Sequence, residues 1–449
     1  MKNARTAALA ALLQVEDSEG YSNIVIDKTI RQFGLEPRDA ALTTAIFYGV
    51  LERRITLDYR IQQFSRLPLD KLSSEVLNAL RIAVYQICYL KKIPHSAAVN
   101  EAVNSIKGTK SAKAAGYLNG VLRALLRGLD SISMPDPSQA PLEALSVEVS
   151  CPVWLIQLWI NAYGQECALA LVRSLAEKPP LFLRANTTRC SAQDLEKRFR
   201  QEGVEASLVD WLPGALALKD SGAVDQLPGF AQGLFHVQDL SSQLCCFLLS
   251  PKPGQTVADV CSAPGGKAFT MAEWMENQGK LLAFDKYKGK VGLIRQGAQR
   301  LGLSIIEAQM RDATRTDLEP LDADCVLCDA PCAGLGIIRR KPEIRYKNPK
   351  ELEGLPELQR RILEQAARQV KSGGVLFYST CSLNPAENGQ VADWFLEAHG
   401  DFAAMPLALP KGMEHGIAEP DNQLTLFPHI HGTDGFFVAA FRKLAGSER

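Results

Sequence analysis

Several features are scarce in this chain of 449 residues. It has no run of about 18 consecutive apolar residues, which argues against a membrane-spanning helix, and its start lacks the apolar core and cleavage site of a secretion signal. Neither sign of charge is in excess, because 50 Lys+Arg balance 50 Asp+Glu, so net charge alone does not indicate a nucleic-acid partner. We therefore expect a cytoplasmic protein that does not associate with membranes.

Residues with the spacing of metal ligands are also scarce. The six histidines show no such spacing. Of the 11 cysteines, Cys325, Cys328 and Cys332 form a C-x2-C-x3-C pattern that resembles a metal motif. A strand through this segment would turn Cys325 and Cys328 to opposite faces, where buried thiols pack as small apolar groups. We therefore predict no metal site, and without a secretion signal we expect the cysteines to be reduced.

The fingerprint of a dinucleotide site is missing as well. A G-x-G-x-x-G turn is absent from the point where a strand gives way to a small-residue turn and a helix, so hydride transfer is disfavoured. Asp285 follows that turn by about 20 residues, a spacing that suits the ribose hydroxyls of an adenosine-type ligand, and Asp312 ends the next strand. A tight structural turn is the alternative interpretation. The candidate cofactor residues of the turn are Cys261, Ser262, Ala263, Pro264, Gly265, Gly266 and Lys267.

The chain changes character along its length. Residues 1–130 have apolar residues at three-four spacing, which predicts an all-α domain, with 18 Lys+Arg against 12 Asp+Glu. Residues 131–149 are rich in serine and proline and are predicted to be a linker, and residues 150–232 to form a small α+β module that begins with one helix over 153–175. From 233 to 449, apolar strands alternate with amphipathic helices, which predicts an α/β domain with a mostly parallel sheet.

Two cysteines follow neighbouring strands of this predicted sheet. The strands are expected at 256–260, 280–284, 305–309, 324–328 and 375–379, followed by 435–442. The fourth delivers Asp329-Ala330-Pro331-Cys332 and the fifth delivers Thr380-Cys381-Ser382. Because the carboxyl ends of such strands face the ligand crevice, we expect Cys332, Cys381 and Asp329 to converge on one pocket.

The turn at 261–267, the Asp329–Cys332 segment and the Thr380–Ser382 segment, in that order, resemble the RNA 5-methylcytosine methyltransferases of the Nol/Nop/Sun group. The chain looks most like the bacterial members that act on 16S ribosomal RNA, because its helical part resembles a NusB-type RNA-binding domain. Further segments that carry this resemblance are PHSAAVNEAV at 94–103, LNGVLR at 118–123, VQDLSSQ at 237–243 and GTDGFF at 432–437.

The resemblance implies a Rossmann-like catalytic domain that uses S-adenosylmethionine, preceded by an RNA-recognition-like module. It also implies that Cys381 is the nucleophile that adds to C6 of cytosine, that Cys332 assists release of the adduct, and that Asp329 bonds the base edge and contributes to the cofactor site. Lys267 is expected to orient Asp329 or to lower a thiol pKa. Asp312 is expected to accept from the adenine amino group.

The expected substrate is 16S ribosomal RNA, naked or in an early small-subunit particle, and the protein is expected to act as a monomer. The basic run at 337–347 follows Cys332 and is expected to contact RNA phosphate. Two alternatives stay open: a transfer RNA substrate with the same chemistry, and a non-catalytic RNA-binding assembly factor with a methyltransferase fold. The second would be expected to have a degraded site, whereas Asp285, Asp329 and both cysteines are present here.

Overall fold

A computed structural model describes residues 3–17, 21–219, 222–413 and 415–445. The chain divides into two compact units, Met1–Glu177 with Ile338–Lys347, and Lys178–Ile337 with Asn348–Arg449. The first is helical and the second contains two sheets. The predicted fold class is thereby confirmed: an all-α part, a small α+β module and an α/β domain with a largely parallel sheet.

The helical unit has the apolar periodicity that its sequence predicts. Its described α-helices are Ala4–Asp17 (α1), Ser22–Phe33 (α2), Pro37–Glu52 (α3), Arg54–Gln62 (α4), Ser74–Tyr89 (α5), His95–Lys107 (α6), Ala115–Arg127 (α7), Pro141–Val149 (α8), Val153–Tyr163 (α9) and Gln165–Ser174 (α10). One side chain from each predicted stripe, Leu12, Leu80 and Leu122, lies in a single core cluster. Burial of these stripes holds α1, α5 and α7 together.

The structure differs from the predicted organisation near residue 150. Helix α8 lies within the predicted linker 131–149 and buries Ala144, Leu145 and Val147. The helix expected over 153–175 is interrupted at Gly164, whose φ of 79° and ψ of 161° are strained for residues with a Cβ. Residues 150–177 cluster with the helical unit, not with the α+β module. The domain boundaries themselves stay a prediction.

Segment 338–347 belongs to the helical unit although sheet-unit residues flank it in the sequence. Arg345 is 1% exposed and donates to the carbonyls of Glu52, Val149 and Ser150. The Tyr346 hydroxyl donates to Leu51 O at 2.8 Å. A guanidinium buried against three carbonyls cannot contact RNA phosphate, so the expected phosphate contact of this run is wrong for Arg345. The prediction failed because basic composition does not distinguish an exposed loop from a buried segment.

The sheet unit begins with the small α+β module. Its strands are Leu181–Ala185 (β1), Ala206–Leu208 (β2), Ala215–Leu218 (β3) and Phe235–Val237 (β4), and they form an antiparallel sheet in the order β2-β3-β1-β4. Helix Ala192–Gln201 (α11) packs Leu195 and Phe199 against this sheet. The Ser191 hydroxyl caps the helix by accepting from Asp194 N at 3.0 Å.

The larger sheet has eight strands in the order β10-β12-β9-β8-β5-β6-β7, with β11 paired to β12. The strands are Thr256–Asp259 (β5), Lys280–Asp285 (β6), Ile306–Met310 (β7), Ala323–Asp329 (β8), Val370–Thr380 (β9), Phe402–Ala404 (β10), Gln423–Leu426 (β11) and Phe436–Lys443 (β12). Strands β5 to β9 are parallel, and β12 runs antiparallel to β9. The chain order reverses between β5 and β8, which is where ligands bind in open α/β sheets.

Helices flank this sheet: Leu240–Leu249 (α12), Gly266–Trp274 (α13), Lys288–Leu301 (α14), Leu355–Ala367 (α15), Gly389–Ala398 (α16) and the short Pro428–His431 (α17). Cys325 lies in one core cluster and Cys328 in another, so the two thiols face opposite sides of β8 as predicted. Within the described residues, no group of three or more His, Cys, Asp or Glu is arranged to hold a metal.

No single helix in the described part of the chain is long and apolar enough to cross a membrane. Helices α8 and α9 reach the required length and composition only as a pair bent by 111°. The apolar side chains Leu155, Ile156 and Trp159 of α9 are fully buried.

Candidate active site

The candidate site lies at the carboxyl ends of β8 and β9. These strands are parallel neighbours, and their register pairs Asp329 with Ser379. The loops that follow therefore start side by side, and they bring the Sγ atoms of Cys332 and Cys381 to 3.3 Å. The two thiols are 49 residues apart in the sequence, and the structure brings them together as predicted.

Cys332 is held as a neutral thiol. Its hydrogen bond with Cys381 and its burial raise the pKa of the Cys332 thiol well above the ordinary value, and the nearby Glu387 carboxylate acts in the same direction. A group with a raised thiol pKa keeps its proton at neutral pH. Cys332 can therefore supply a hydrogen bond to the second sulfur.

Asp329 is fixed beside the cysteines by two donors. Lys267 Nζ lies 2.7 Å from its Oδ2, and Ser379 Oγ donates to its Oδ1 at 2.8 Å. Burial acts to lower the pKa of Lys267, but the charge and hydrogen bond of Asp329, together with the nearby thiols of Cys245 and Cys246, outweigh it and the pKa is raised. Lys267 thus orients Asp329, the first of its two expected roles. The second role, lowering a thiol pKa, stays a prediction.

The small-residue turn between β5 and α13 is closed by backbone hydrogen bonds. Ser262 N donates to Phe284 O at 2.7 Å, which ties the turn to the end of β6, and Gly265 N donates to Ser262 O at 2.8 Å. Gly265 has φ of 112°, and a Cβ there would lie 2.5 Å from the ring of Phe269. The turn therefore requires glycine at this position, and it leads the backbone N–H groups of α13 toward the strand ends.

Asp285 and Asp312 end the two strands next to this turn. Asp285 is the last residue of β6, is 8% exposed, and accepts from Tyr287 N at 3.0 Å. Asp312 lies two residues beyond β7. The backbone N–H and the hydroxyl of Thr314 lower the pKa of Asp312 to about 2, with a further contribution from Lys286 at 3.0 Å. Both carboxylates are therefore ordered acceptors beside the turn.

The residues around the turn fit S-adenosylmethionine, whose amino group and ribose hydroxyls are donors. Asp259, the last residue of β5, is fully buried, yet its Oδ2 accepts no hydrogen bond from the protein. Burial and then the charge of Asp329 raise the pKa of Asp259 to about 7. The Ser262 hydroxyl lies next to Asp259 and acts in the opposite direction. The buried Oδ2 of Asp259 therefore calls for a ligand donor.

Several residues of the site were not identified from the sequence. Ser379 orients Asp329, Asp259 ends β5 with an orphaned oxygen, and Glu387 contacts the loops of both cysteines. The signal for Glu387 was the run Asn384-Pro385-Ala386-Glu387-Asn388, which begins two residues after Ser382. An acid in a proline turn next to a candidate nucleophile would have identified it.

Family models match three successive parts of the chain. The model described as NusB family matches residues 2–127, a Methyltr_RsmF/B-like ferredoxin-like domain matches 151–225, and the model described as 16S rRNA methyltransferase RsmB/F matches 246–442. The last match contains the turn at 261–267 and both cysteines. The cofactor is S-adenosylmethionine, as the fold and the resemblance predicted.

Relatives match over the full length. A probable ribosomal RNA small subunit methyltransferase B of Bacillus subtilis is 38% identical, with 98% of each chain covered. Its counterpart in Synechocystis is 34% identical over 99% of this chain and all of the relative, and that of Pectobacterium carotovorum is 31% identical over 98% and 99%.

Solved structures agree. A crystal structure described as PH0851 superposes with a TM-score of 0.82 at 29% identity and covers 99% of both chains. A methyltransferase homologue from Pyrococcus horikoshii gives a TM-score of 0.60 at 30% identity, covering 69% of this chain and all of the other. From the domain order, the full-length relatives and the paired cysteines at the strand ends, we conclude that the chain belongs to the RsmB/F family of S-adenosylmethionine-dependent methyltransferases.

Proposed function

We propose that this protein transfers a methyl group from S-adenosylmethionine to C5 of a cytosine in 16S ribosomal RNA, through a covalent bond between Cys381 and C6. The observation that carries the proposal is the 3.3 Å separation of the Cys332 and Cys381 sulfurs beside an oriented carboxylate. The small-subunit ribosomal RNA substrate comes from the names of the full-length relatives.

The chemistry explains why a thiol is needed. C5 of cytosine is too weak a nucleophile to accept a methyl group directly. Addition of the Cys381 thiolate to C6 converts C5 into an enamine carbon, which then attacks the methyl. S-adenosylmethionine supplies that methyl group as an electrophile. A base then takes the proton from C5, the C5–C6 double bond re-forms, and the bond between C6 and the Cys381 sulfur breaks.

Cys332 is proposed to assist this release. Its raised thiol pKa keeps a proton on its sulfur, and that sulfur contacts the sulfur of Cys381. A hydrogen bond from Cys332 stabilises the leaving thiolate. Without it the adduct should persist.

Asp329 is proposed to recognise the cytosine edge at N3 and N4. Its two oxygens are held by Lys267 and Ser379, so the carboxylate cannot rotate freely, and its side chain is 28% exposed. A fixed acceptor of this kind stabilises the charge that develops in the base when C6 is attacked. The same carboxylate borders the cofactor turn.

The proposed cofactor-binding residues surround the end of β5. The turn 261–267 would approach the methionine part, Asp285 would accept from the ribose hydroxyls, and Asp312 from the adenine amino group. The Oδ2 atom of Asp259, which has no protein partner, would accept a hydrogen bond from the amino group of the cofactor's methionine part. These roles are assigned by position and by donor chemistry.

The target cytosine must be unpaired or flipped out of a helix, because a duplex hides C5 and C6. The helical part and the α+β module would hold the RNA around it, whether the substrate is naked RNA or an early subunit particle. The monomeric state, the cytoplasmic location and the absence of membrane association stay predictions from the sequence.

The test is to incubate the protein with tritiated-methyl S-adenosylmethionine and unmodified 16S ribosomal RNA, followed by nucleoside analysis. We expect label in 5-methylcytosine with the native chain and none with Cys381→Ala. Transfer RNA is incubated in parallel. Label only in transfer RNA would replace the substrate, label in another nucleoside would overturn the cysteine mechanism, and no label on either RNA would favour the non-catalytic assembly factor.

A further inference from the structure

A buried carboxylate lies between the two cysteine loops. Glu387 is in a turn that follows Cys381 by six residues and precedes α16, and it is 0% exposed. Burial of an acid is costly unless its oxygens accept hydrogen bonds. The partners of Glu387 therefore indicate what the acid does.

The carboxylate of Glu387 bonds both loops at once. Its Oε2 accepts from the backbone N–H of Ala333, the residue after Cys332, at 2.7 Å. Its Oε1 accepts from the hydroxyl of Ser382, the residue after Cys381, also at 2.7 Å. One side chain thus joins the immediate neighbours of both thiols.

Further contacts fix this acid in place. Gln359 Nε2 on α15 donates to Glu387 Oε2 at 2.9 Å and to Pro331 O at 3.0 Å. The Tyr378 hydroxyl on β9 donates to the Glu387 carbonyl at 2.5 Å. The carboxylate therefore has three donors and no freedom to turn.

Asn388 extends the same turn around the Cys381 loop. Its Oδ1 accepts from the Thr380 hydroxyl at 2.6 Å, and its Nδ2 donates to Ser382 O at 2.9 Å. These bonds hold the residues on both sides of Cys381. The turn thus has a rigid attachment to one loop and a single carboxylate that reaches the other.

We propose that Glu387 is a positioning residue that sets the distance between Cys332 and Cys381 by bridging Ala333 and Ser382. The catalytic meaning of that distance rests on the proposed function. The residue touches neither sulfur in the contacts above and acts through the backbone next to each. A carboxylate suits the role because each of its two oxygens can accept from a different loop.

A neutral amide is a poorer bridge at this position. In Glu387→Gln the Nε2 group would bring two donors into a site where Ala333, Ser382 and Gln359 already donate, so at least one bond must be lost or reversed. Because the side chain is fully buried, a polar group that loses its partner there is costly. Glu387→Ala removes all three bonds.

The first test measures thiol proximity without any methyl transfer. Diamide adds to one thiolate, and the second thiol then displaces the resulting hydrazine and leaves a disulfide, so the rate at which the singly modified protein closes to the Cys332–Cys381 bond reports how often the sulfurs meet. The bond is identified in the intact protein by peptide mass spectrometry. We expect Glu387→Ala to slow its formation at least about tenfold and Glu387→Gln to have an intermediate effect. Glu397→Ala, an exposed acid on α16, is the matched control and should have the native rate.

The second test follows the reaction. We expect the Glu387 variants to lower kcat with KM for RNA and for S-adenosylmethionine unchanged, and to raise the fraction of RNA covalently attached under denaturing conditions, because release requires both sulfurs. Ser382→Ala cuts the bridge on one side only and serves if the Glu387 variants do not fold. Native cross-linking rates in the folded variants would overturn the positioning role. If the native chain makes no 5-methylcytosine while cross-linking still depends on Glu387, the proposed function fails and the distance-setting role does not.

Discussion

In the helical unit the buried guanidinium of Arg81 is surrounded by acids: it donates to Asp58 at 2.7 Å and to Glu16 at 3.0 Å. In the sheet unit the buried carboxyl of Asp259 has one oxygen without a protein partner and lies within the field of a second acid, Asp329. The buried charge of Arg81 is therefore matched by neighbouring acids, whereas the buried carboxyl of Asp259 is not fully partnered. The difference teaches that the Arg81 cluster uses buried charge to hold α1, α4 and α5 together, whereas the end of β5 leaves an acceptor available to a ligand.

The largest expected effect is on the turnover of the site, and it should occur without a change in stability. Cys332→Ala should lower multiple-turnover methylation by at least about 100-fold, because a positioned proton donor contributes about that much. It should also accumulate RNA that stays attached to the protein on a denaturing gel, at an unchanged melting temperature. The double variant Cys332→Ala/Cys381→Ala is the control and should retain no RNA. Normal turnover of Cys332→Ala would contradict its assigned role.

Next in size is the charge cluster of the helical unit. Arg81→Ala should lower the free energy of unfolding by about 3 kcal/mol, because it leaves two acids without their buried partner. Urea denaturation measures the change. Lys219→Ala, which breaks an exposed pair with Glu205 at 3.3 Å, is the control and should change stability by less than about 0.5 kcal/mol. If the two variants lost equal amounts of unfolding free energy, the buried charge cluster would stabilise the fold no more than an exposed ion pair does.

Asp259→Asn should have the opposite effect from Arg81→Ala, because it should raise the free energy of unfolding. The folded pKa of Asp259 is about 7, above its ordinary value of 3.8, so the folded state binds its proton more tightly than the unfolded state does. The ionised acid therefore costs stability above pH 7, and this cost fades as the pH falls toward about 4. The variant should be more stable than the native chain by on the order of 2 kcal/mol at pH 8, with no gain at pH 4. Its affinity for S-adenosylmethionine, measured by calorimetry, should fall.

The smallest expected effect is that of removing a helix cap, and it should be the same in both units. Ser73 caps α5 by accepting from Val76 N at 3.4 Å, and Ser191 caps α11 at 3.0 Å. Each serine-to-alanine change should cost about 1 kcal/mol or less, because it removes one capping bond at an exposed helix start. Thermal denaturation of the two variants compares them directly. A clearly larger loss in one unit would mean that local capping also depends on the surrounding tertiary structure.

Much of the fold could be predicted from local patterns. The three-four spacing around Leu80 and Leu122 gave amphipathic helices, and the strands that end at Asp329 and Thr380 were predicted to within a few residues at their carboxyl ends. The convergence of Cys332 and Cys381 followed because parallel strands deliver their ends to one edge of a sheet. These features depend on periodicity and on topology.

The missed features depend on contacts between distant segments. The sequence around Arg345 is basic in the same way as an exposed loop, and only the carbonyls of Glu52 and Val149 explain its burial. The bridging role of Glu387 depends on α15 and both cysteine loops packing around it, which the local sequence does not show. Gly164 gave no sign of whether it would be tolerated within a helix or break it, because both outcomes occur.

The last strand of the sheet has a consequence for biosynthesis. Gly336 N donates to Cys381 O, and Gly435 N donates to Gly336 O, each at 2.9 Å, so the loops of both cysteines are tied to the turn that precedes β12. The contact is so close that a Cβ on Gly336 would lie 1.9 Å from Gly435 O. A nascent chain that has reached residue 432 already contains both thiols but lacks this tie and the β12 strand that pairs with β9. The reactive pair is therefore completed only late in translation, after the helical unit and most of the sheet have been synthesised.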